Sequence, residues 1–153
     1  MTEPARLIRP DGRQSETAAG LQRGVARLLR DRGLAPVYEL TLASGRRVDV
    51  MAVSAAGEIT IIEIKSSLAD FRADDKWHDY LAFCDRFYFA IPESLDPGVM
   101  PAEAGLIIAD RFGAEVMRDS LATPLSAARR KMLLIDFARC AALRLHTLHD
   151  PDS

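Results

Sequence analysis

Three charged residues, Asp49, Glu63 and Lys65, lie on two neighbouring predicted strands with a spacing that suits metal-assisted hydrolysis. The two strands are joined by a short loop that ends in Gly57. If Gly57 occupies a bulge position, antiparallel pairing puts Asp49 directly opposite Glu63, with side chains that start about 4.5–5.5 Å apart. Side chains alternate along a strand, so Lys65, two residues after Glu63, lies on the same face.

Two carboxylates at this separation repel each other, and this face also carries Ile59 and Ile61. A face that buries apolar residues gives no stabilising reason for two adjacent negative charges. A divalent cation between Asp49 and Glu63 would remove the conflict, and hard oxygen ligands favour Mg²⁺ or Mn²⁺. Lys65 would then lie beside the metal, where it could orient or deprotonate water or stabilise charge on a phosphate.

A simpler interpretation treats these residues as the charges of a surface strand, with Asp49 paired to Arg47 or Lys65. The tripeptide Glu-x-Lys is common and is weak support for a metal site by itself. The hairpin spacing and the helix predicted after the second strand favour the metal site.

The elements that position these residues follow from hydrophobic periodicity and from turn and capping signals. They are a helix over 16–32, strands over 36–42, 46–53 and 58–66, a helix over 68–84, a strand over 86–91, a hairpin of 105–110 with 114–118, and a long C-terminal helix. The C-terminal helix is expected to be capped by Thr123, to begin at Pro124 and to continue to about 148. Val48, Val50 and Ala52 are expected on one face of the second strand. Strands that alternate with helices predict an α/β fold, with a mixed sheet flanked by helices. We expect a flexible segment over 1–14 and a single domain over 15–149.

Composition places limits on the protein class. A chain of 153 residues fits one domain, and 48% hydrophobic with 27% charged residues argues against disorder. The net charge of −2 gives no overall polybasic signal for nucleic acid. No apolar run approaches the ~18 residues of a membrane span, and the start of the chain lacks the apolar core of a signal peptide. With only Cys84 and Cys140, a disulfide scaffold and a cysteine zinc site are excluded, so we expect a cytoplasmic protein.

Residues 47–49 (Arg-Val-Asp) and 61–66 (Ile-Ile-Glu-Ile-Lys-Ser) together resemble the PD-(D/E)xK nuclease motif. This motif belongs to the restriction-endonuclease-like fold, which archaeal Holliday-junction resolvases share, and the resemblance covers the α-β-β-β-α-β stretch from 16 to about 91. Three further stretches, over 77–80, 84–92 and 105–110, resemble the MmcB-like endonucleases of bacterial DNA repair. That second resemblance extends over most of the chain.

The resemblance implies a role for each motif residue. Asp49 and Glu63 would bind Mg²⁺ or Mn²⁺, the backbone carbonyl of Ile64 would be a further ligand, and Lys65 would be the catalytic lysine. Val48 replaces the proline of the motif, at a position that varies in such enzymes.

One expected ligand departs from the pattern of the resolvase-like members, which often carry a glutamate on the first helix. Gln22 occupies that position here, so this ligand is absent or replaced. Glu39 on the first strand could substitute for it, or could simply face solvent.

Basic residues near the motif are candidates for phosphate contacts. The candidates are Arg23, Arg27 and Arg30, at helical spacing on the first helix, and Arg46 and Arg47, which border the predicted site. A solvated helix face is the alternative for the first three.

The helix predicted after the motif carries a second set of polar residues. Lys76 and Asp79, one turn apart, either support the site or form a local ion pair. Trp77 and Tyr80 are assigned to the core, and the cluster 129–131 (Arg-Arg-Lys) is interpreted as solvated.

The sequence therefore predicts a Mg²⁺-dependent DNA endonuclease, structure-specific or not, that acts in bacterial DNA repair. The alternatives are a non-catalytic DNA-binding or repair-adaptor protein on the same fold, and an RNA nuclease. DNA is the expected partner and a membrane is not. A small single domain that cuts both strands would be expected to form a homodimer, and contacts with other DNA-repair proteins are left open.

Overall fold

The chain alternates helices and strands in the order that the sequence predicts. A computed structural model describes residues 16–73 and 76–152. Its helices and strands are α1 (Glu16–Asp31), β1 (Ala35–Thr41), β2 (Arg47–Val53), β3 (Ile59–Ile64), α2 (Leu68–Ala73), β4 (Arg86–Ile91), β5 (Gly105–Ala109), β6 (Ala114–Arg118) and α3 (Ala127–His149), with 3₁₀ helices over Trp77–Phe83 and Pro97–Val99. The α-β-β-β-α-β core, the extra hairpin and the long C-terminal helix are confirmed, whereas the predicted flexible segment 1–14 lies outside the described residues.

The six strands form one mixed sheet in sequence order, from β1 to β6. Strands β3, β4 and β5 run parallel, and the other neighbouring pairs are antiparallel. Parallel strands end at the same side of a sheet. The residues that follow β3 therefore lie at the same end of the sheet as the start of β2 and the turn between β5 and β6.

Helices cover both faces of this sheet, which explains why every residue of β3 is buried. On one face, Leu21, Val25 and Leu29 of α1 pack in a cluster with Val50 and Ile62. On the other face, the 3₁₀ helix Trp77–Phe83 and α3 pack against a second cluster that includes residues of β2, β3 and β4.

The predicted alternation along β2 is wrong at Val48. This residue packs in the same cluster as Met51, three positions away, and not with Val50. The register pairs Tyr38 with Val50 and then skips to Leu40 with Val48. The skipped position on β1, Glu39, has a left-handed φ of 50°. The irregularity affects both strands together, so pairing continues while the side chains beyond it change face.

The predicted continuous helix over 68–84 is also wrong. The described residues form a short α2, and then a 3₁₀ helix begins at Trp77. A 3₁₀ helix has three residues per turn, so Trp77, Tyr80 and Phe83 share one face, and they pack against the core. Leu81, which α-helical spacing assigns to the core, is 42% exposed.

Helix α3 begins later than predicted, because Ser126 and not Thr123 caps it by accepting a hydrogen bond from the N–H of Arg129. Its first turn is tied to the sheet through Arg130, which donates two hydrogen bonds to the buried carboxylate of Asp85 at 2.6 and 2.7 Å. Burial opposes ionisation of Asp85, but the Arg130 guanidinium and two backbone N–H donors outweigh it and lower the pKa of Asp85 to about 2. Arg130 is therefore a structural residue and not part of a solvated cluster.

Candidate active site

The predicted register of the β2–β3 hairpin is confirmed. The strands pair from Val53 with Ile59 up to Val50 with Ile62, so the next facing positions are Asp49 and Glu63. Gly57 supplies the left-handed backbone, with a φ of 86°, that the loop requires. Glycine adopts this conformation without the steric cost that other residues have, so the loop sequence helps to fix the register.

Asp49 and Glu63 are held by reciprocal hydrogen bonds between side chain and backbone. The Asp49 N–H donates to Oε2 of Glu63 at 2.7 Å, and the Ile64 N–H donates to Oδ2 of Asp49 at 2.8 Å. Each carboxylate thus accepts a hydrogen bond from a backbone N–H group just beyond the last regularly paired residues of β2 and β3. This arrangement fixes both side chains before any ligand binds.

Both carboxylates are poorly stabilised as anions. Burial, opposed by the Ile64 N–H and the charge of Lys65, raises the pKa of Asp49 above its usual range. Burial and then the charge of Asp49 raise the pKa of Glu63 to about 8. A buried acid whose ionisation is hindered by a neighbouring acid is typical of a site that a cation completes.

Lys65 directly follows β3 and is only 9% exposed. Its backbone N–H donates to the carbonyl of Ala90 at 3.0 Å, which extends the β3–β4 pairing past Ile64. Its positive charge acts on both Asp49 and Glu63 and favours their ionised forms. The structure therefore brings Asp49, Glu63 and Lys65 together.

Tyr80 is a site residue that the sequence prediction assigned only to the core. Its ring is buried, as predicted, and the Cζ atom of Arg46 lies 5.7 Å from the ring centroid. Its hydroxyl lies 3.3 Å from the carbonyl oxygen of Arg47 and also hydrogen-bonds the Glu63 carboxylate, which favours the ionised form of Glu63. The 3₁₀ spacing of the aromatic residues is the one sequence signal for this position.

Glu39 lies near Asp49 but does not join the carboxylate pair. Its negative charge contributes to the raised pKa of Asp49, and its own carboxylate lies 3.6 Å from Arg47. Arg144 of α3 donates to the backbone carbonyls of Tyr38 and Glu39, at 3.0 Å for Glu39, and so braces the left-handed residue. Non-glycine residues in this conformation are strained and are concentrated at functional sites.

Of the predicted supporting residues Lys76 and Asp79, Asp79 makes a long-range contact that the sequence does not predict. Asp79 accepts a hydrogen bond from Nε of Arg46 at 3.1 Å, so it ties the 3₁₀ helix to the turn before β2. Lys76 is exposed and precedes this helix as its cap residue. Arg46 is thereby held next to Tyr80, whereas Arg47 on β2 is half exposed.

Gln22 and the three arginines of the first helix lie on the α1 side of the sheet. Gln22 is half-buried, and with Arg23, Arg27 and Arg30 it lines a cleft of about 470 Å³ that reaches Tyr38. The arginines are exposed. This cleft and the face that carries Tyr80 and Arg46 are on opposite sides of the sheet, so the predicted phosphate contacts form two groups.

The donor set fits a magnesium or manganese ion that is completed by other ligands. Within residues 16–73 and 76–152, no group of three or more His, Cys, Asp or Glu side chains could hold a metal. Magnesium is commonly bound by one or two carboxylates, with water and substrate phosphate oxygens as the remaining ligands. The pair formed by Asp49 and Glu63 meets that requirement, and the Ile64 carbonyl stays a predicted ligand.

The fold and the site together define an α/β protein with a buried carboxylate pair and a lysine at one end of its sheet. The chain belongs to the MmcB-like family, whose model, described as DNA repair protein MmcB-like, matches residues 5–152. A protein of unknown function from Silicibacter pomeroyi is similar in structure, with a TM-score of 0.87 and 47% identity over 90% of this chain and 94% of that one. A repair endonuclease from Pyrococcus abyssi matches at a TM-score of 0.34 and 25% identity over 49% of this chain and 38% of that one, which is too low to establish a common fold. None of the curated proteins compared with the chain matches it.

No helix in the part of the chain that the structure describes is both long and apolar enough to cross a membrane.

Proposed function

We propose that the protein is a metal-dependent endonuclease that hydrolyses phosphodiester bonds in DNA. The observation that carries this proposal is the buried pair of Asp49 and Glu63, fixed by backbone hydrogen bonds with Lys65 beside it. Membership of a DNA repair protein family supports DNA as the substrate.

Asp49 and Glu63 would hold Mg²⁺ or Mn²⁺, which when bound lowers the pKa of water and offsets charge on the phosphate. The Tyr80 hydroxyl favours the ionised form of the Glu63 carboxylate. Lys65 holds a positive charge where negative charge develops on the phosphate, and this helps to stabilise the transition state. Arg46 and Arg47 contact the neighbouring phosphates of the strand.

A non-catalytic adaptor would have no use for this arrangement. Two buried acids at facing positions raise each other's energy, and replacing one of them by a neutral residue would stabilise an adaptor. The presence of both acids together with Lys65 therefore favours catalysis. A homodimer would supply two such sites for cutting both strands of a duplex.

Cleavage of a panel of labelled substrates tests the proposal. The panel contains single-stranded, duplex, flap, gapped and junction DNA and a single-stranded RNA, each with Mg²⁺, Mn²⁺ or EDTA. We expect metal-dependent cleavage of at least one DNA, no cleavage by D49N or E63Q, and a steep loss in K65A, with DNA binding retained.

The matched control is Glu115→Gln, because Glu115 is an exposed acid on the edge strand β6. This variant should cleave like the wild type. Binding without cleavage of any substrate would favour the adaptor, and cleavage of RNA alone would identify an RNA nuclease.

A further inference from the structure

The turn between β5 and β6 presents an aromatic side chain to solvent from a fixed backbone. Phe112 is 70% exposed. The Asp110 carboxylate accepts hydrogen bonds from the N–H groups of Phe112 and Gly113 at 2.8 and 3.0 Å, and the Asp110 N–H donates to the Gly113 carbonyl at 2.9 Å. The exposure of Phe112 is therefore not the result of an unstructured loop.

Helix α1 holds this turn from the other side. A Cβ atom on Gly24 would lie 1.9 Å from the Asp110 carbonyl oxygen and 2.4 Å from that of Gly113, so only glycine allows the close contact. Arg27 donates from Nη1 to the Phe112 carbonyl at 3.0 Å. The turn is thus packed against the helix at two points while the Phe112 ring remains outside the core.

Cationic groups surround the exposed ring. Phe112, Arg27 and Arg30 line a cleft of about 370 Å³, with Asp31 as the acid in its lining. The Cζ atom of Arg111 lies 5.3 Å from the centroid of the Phe112 ring. An exposed aromatic ring bordered by arginines is the combination that binds single-stranded nucleic acid, because bases stack on the ring and guanidinium groups contact phosphates.

The turn also lies at the end of the sheet that carries the candidate active site. Strands β3, β4 and β5 are parallel neighbours, so Lys65 after β3 and Phe112 after β5 leave the same end of the sheet. Two strand spacings of about 4.8 Å separate β3 from β5. One nucleic-acid strand is long enough to reach both.

We propose that Phe112, with Arg27, Arg30 and Arg111, binds an unpaired nucleotide by stacking its base on the Phe112 ring. The inference deepens the proposed function, on which it rests for the assignment of that nucleotide to the substrate. It gives the substrate class as DNA with a single-stranded or unpaired region.

The test measures binding without catalysis, by fluorescence anisotropy of labelled oligothymidylate and of a blunt duplex in EDTA. Phe112→Ala should weaken binding of oligothymidylate by roughly 5- to 150-fold, the range for one stacked base, and should change duplex binding little. Phe112→Trp should keep the affinity, and stacking of a base on the introduced indole should quench its emission when oligothymidylate binds. The natural Trp77 is buried, so quenching by oligothymidylate reports on the introduced residue. Arg30→Ala should flatten the salt dependence by about 0.7 in slope on the single strand.

Met117→Ala is the matched control, because Met117 is an apolar residue on β6 that is 55% exposed. The proposal is overturned if F112A binds oligothymidylate as tightly as M117A does, or if the wild type does not bind oligothymidylate. Either outcome leaves cleavage at Asp49 and Glu63 to be decided by the substrate panel. If oligothymidylate binding depends on Phe112 but no substrate in the panel is cleaved, the proposed nuclease function is refuted and the stacking site stands.

Discussion

Replacing Glu63 with glutamine should stabilise the metal-free protein at alkaline pH. Burial and the charge of Asp49 raise the pKa of Glu63 from 4.5 to about 8 in the folded protein. A raised pKa means that the contribution of Glu63 to stability is fully present below pH 4.5 and is lost as the pH rises toward 8. Glutamine keeps an acceptor for the Asp49 N–H but does not ionise. Stability of the variant should therefore fall less between pH 5 and 8 than that of the wild type.

The same substitution should remove stabilisation by metal. At a hundredfold excess over its dissociation constant, Mg²⁺ or Mn²⁺ should stabilise the wild type by about 2.7 kcal/mol. For a domain of this size that is a rise in Tm of roughly 5–10 °C. The metal must displace the proton of Glu63, so its apparent Kd should rise about tenfold for each pH unit below 8.

Thermal melts of the wild type, Glu63→Gln and the control Glu115→Gln, with metal or EDTA from pH 5 to 9, measure both effects. The control should match the wild type in every condition, because Glu115 is exposed on the edge strand. The reasoning is refuted if wild-type melting is independent of metal at all pH values and Glu63→Gln is the less stable protein at pH 8.5.

Three further predictions follow from particular contacts. Asp85→Asn leaves Arg130 without its buried charged partner and should lower the free energy of unfolding by about 3–5 kcal/mol, measured with denaturant at pH 7. Because the pKa of Asp85 is lowered to about 2, the difference from the wild type should shrink as the pH falls from 4 to 2, and a constant difference would contradict this prediction. Tyr80→Phe removes a hydrogen bond that favours the ionised Glu63, so the metal titration should shift to higher concentrations while the metal-free Tm at pH 5 changes little; an unchanged titration would exclude this role. Arg47→Ala should flatten the slope of log K against log salt by about 0.9 on duplex DNA, and an unchanged slope would show that Arg47 does not contact phosphate.

The sequence alone determined the element order and the pairing of Asp49 with Glu63. Both depend on local rules: side chains alternate along a strand, and a hairpin register is set by its loop. Gly57 fixes that loop because it takes the left-handed backbone that the turn requires. The placement of the two carboxylates side by side could therefore be predicted before any long-range contact was known.

Tertiary structure alone decided the details around that pair. The change of face at Val48 arises because β1 and β2 are irregular together, with Glu39 in a left-handed conformation braced by Arg144, more than a hundred residues away in sequence. Tyr80 reaches Glu63 because packing of the aromatic residues imposes a 3₁₀ helix. Such contacts join segments that are distant in the chain, and their geometry depends on how the elements pack. The three-residue spacing of Trp77, Tyr80 and Phe83 in the sequence is compatible with a 3₁₀ helix, but it does not specify which distant residues these side chains contact.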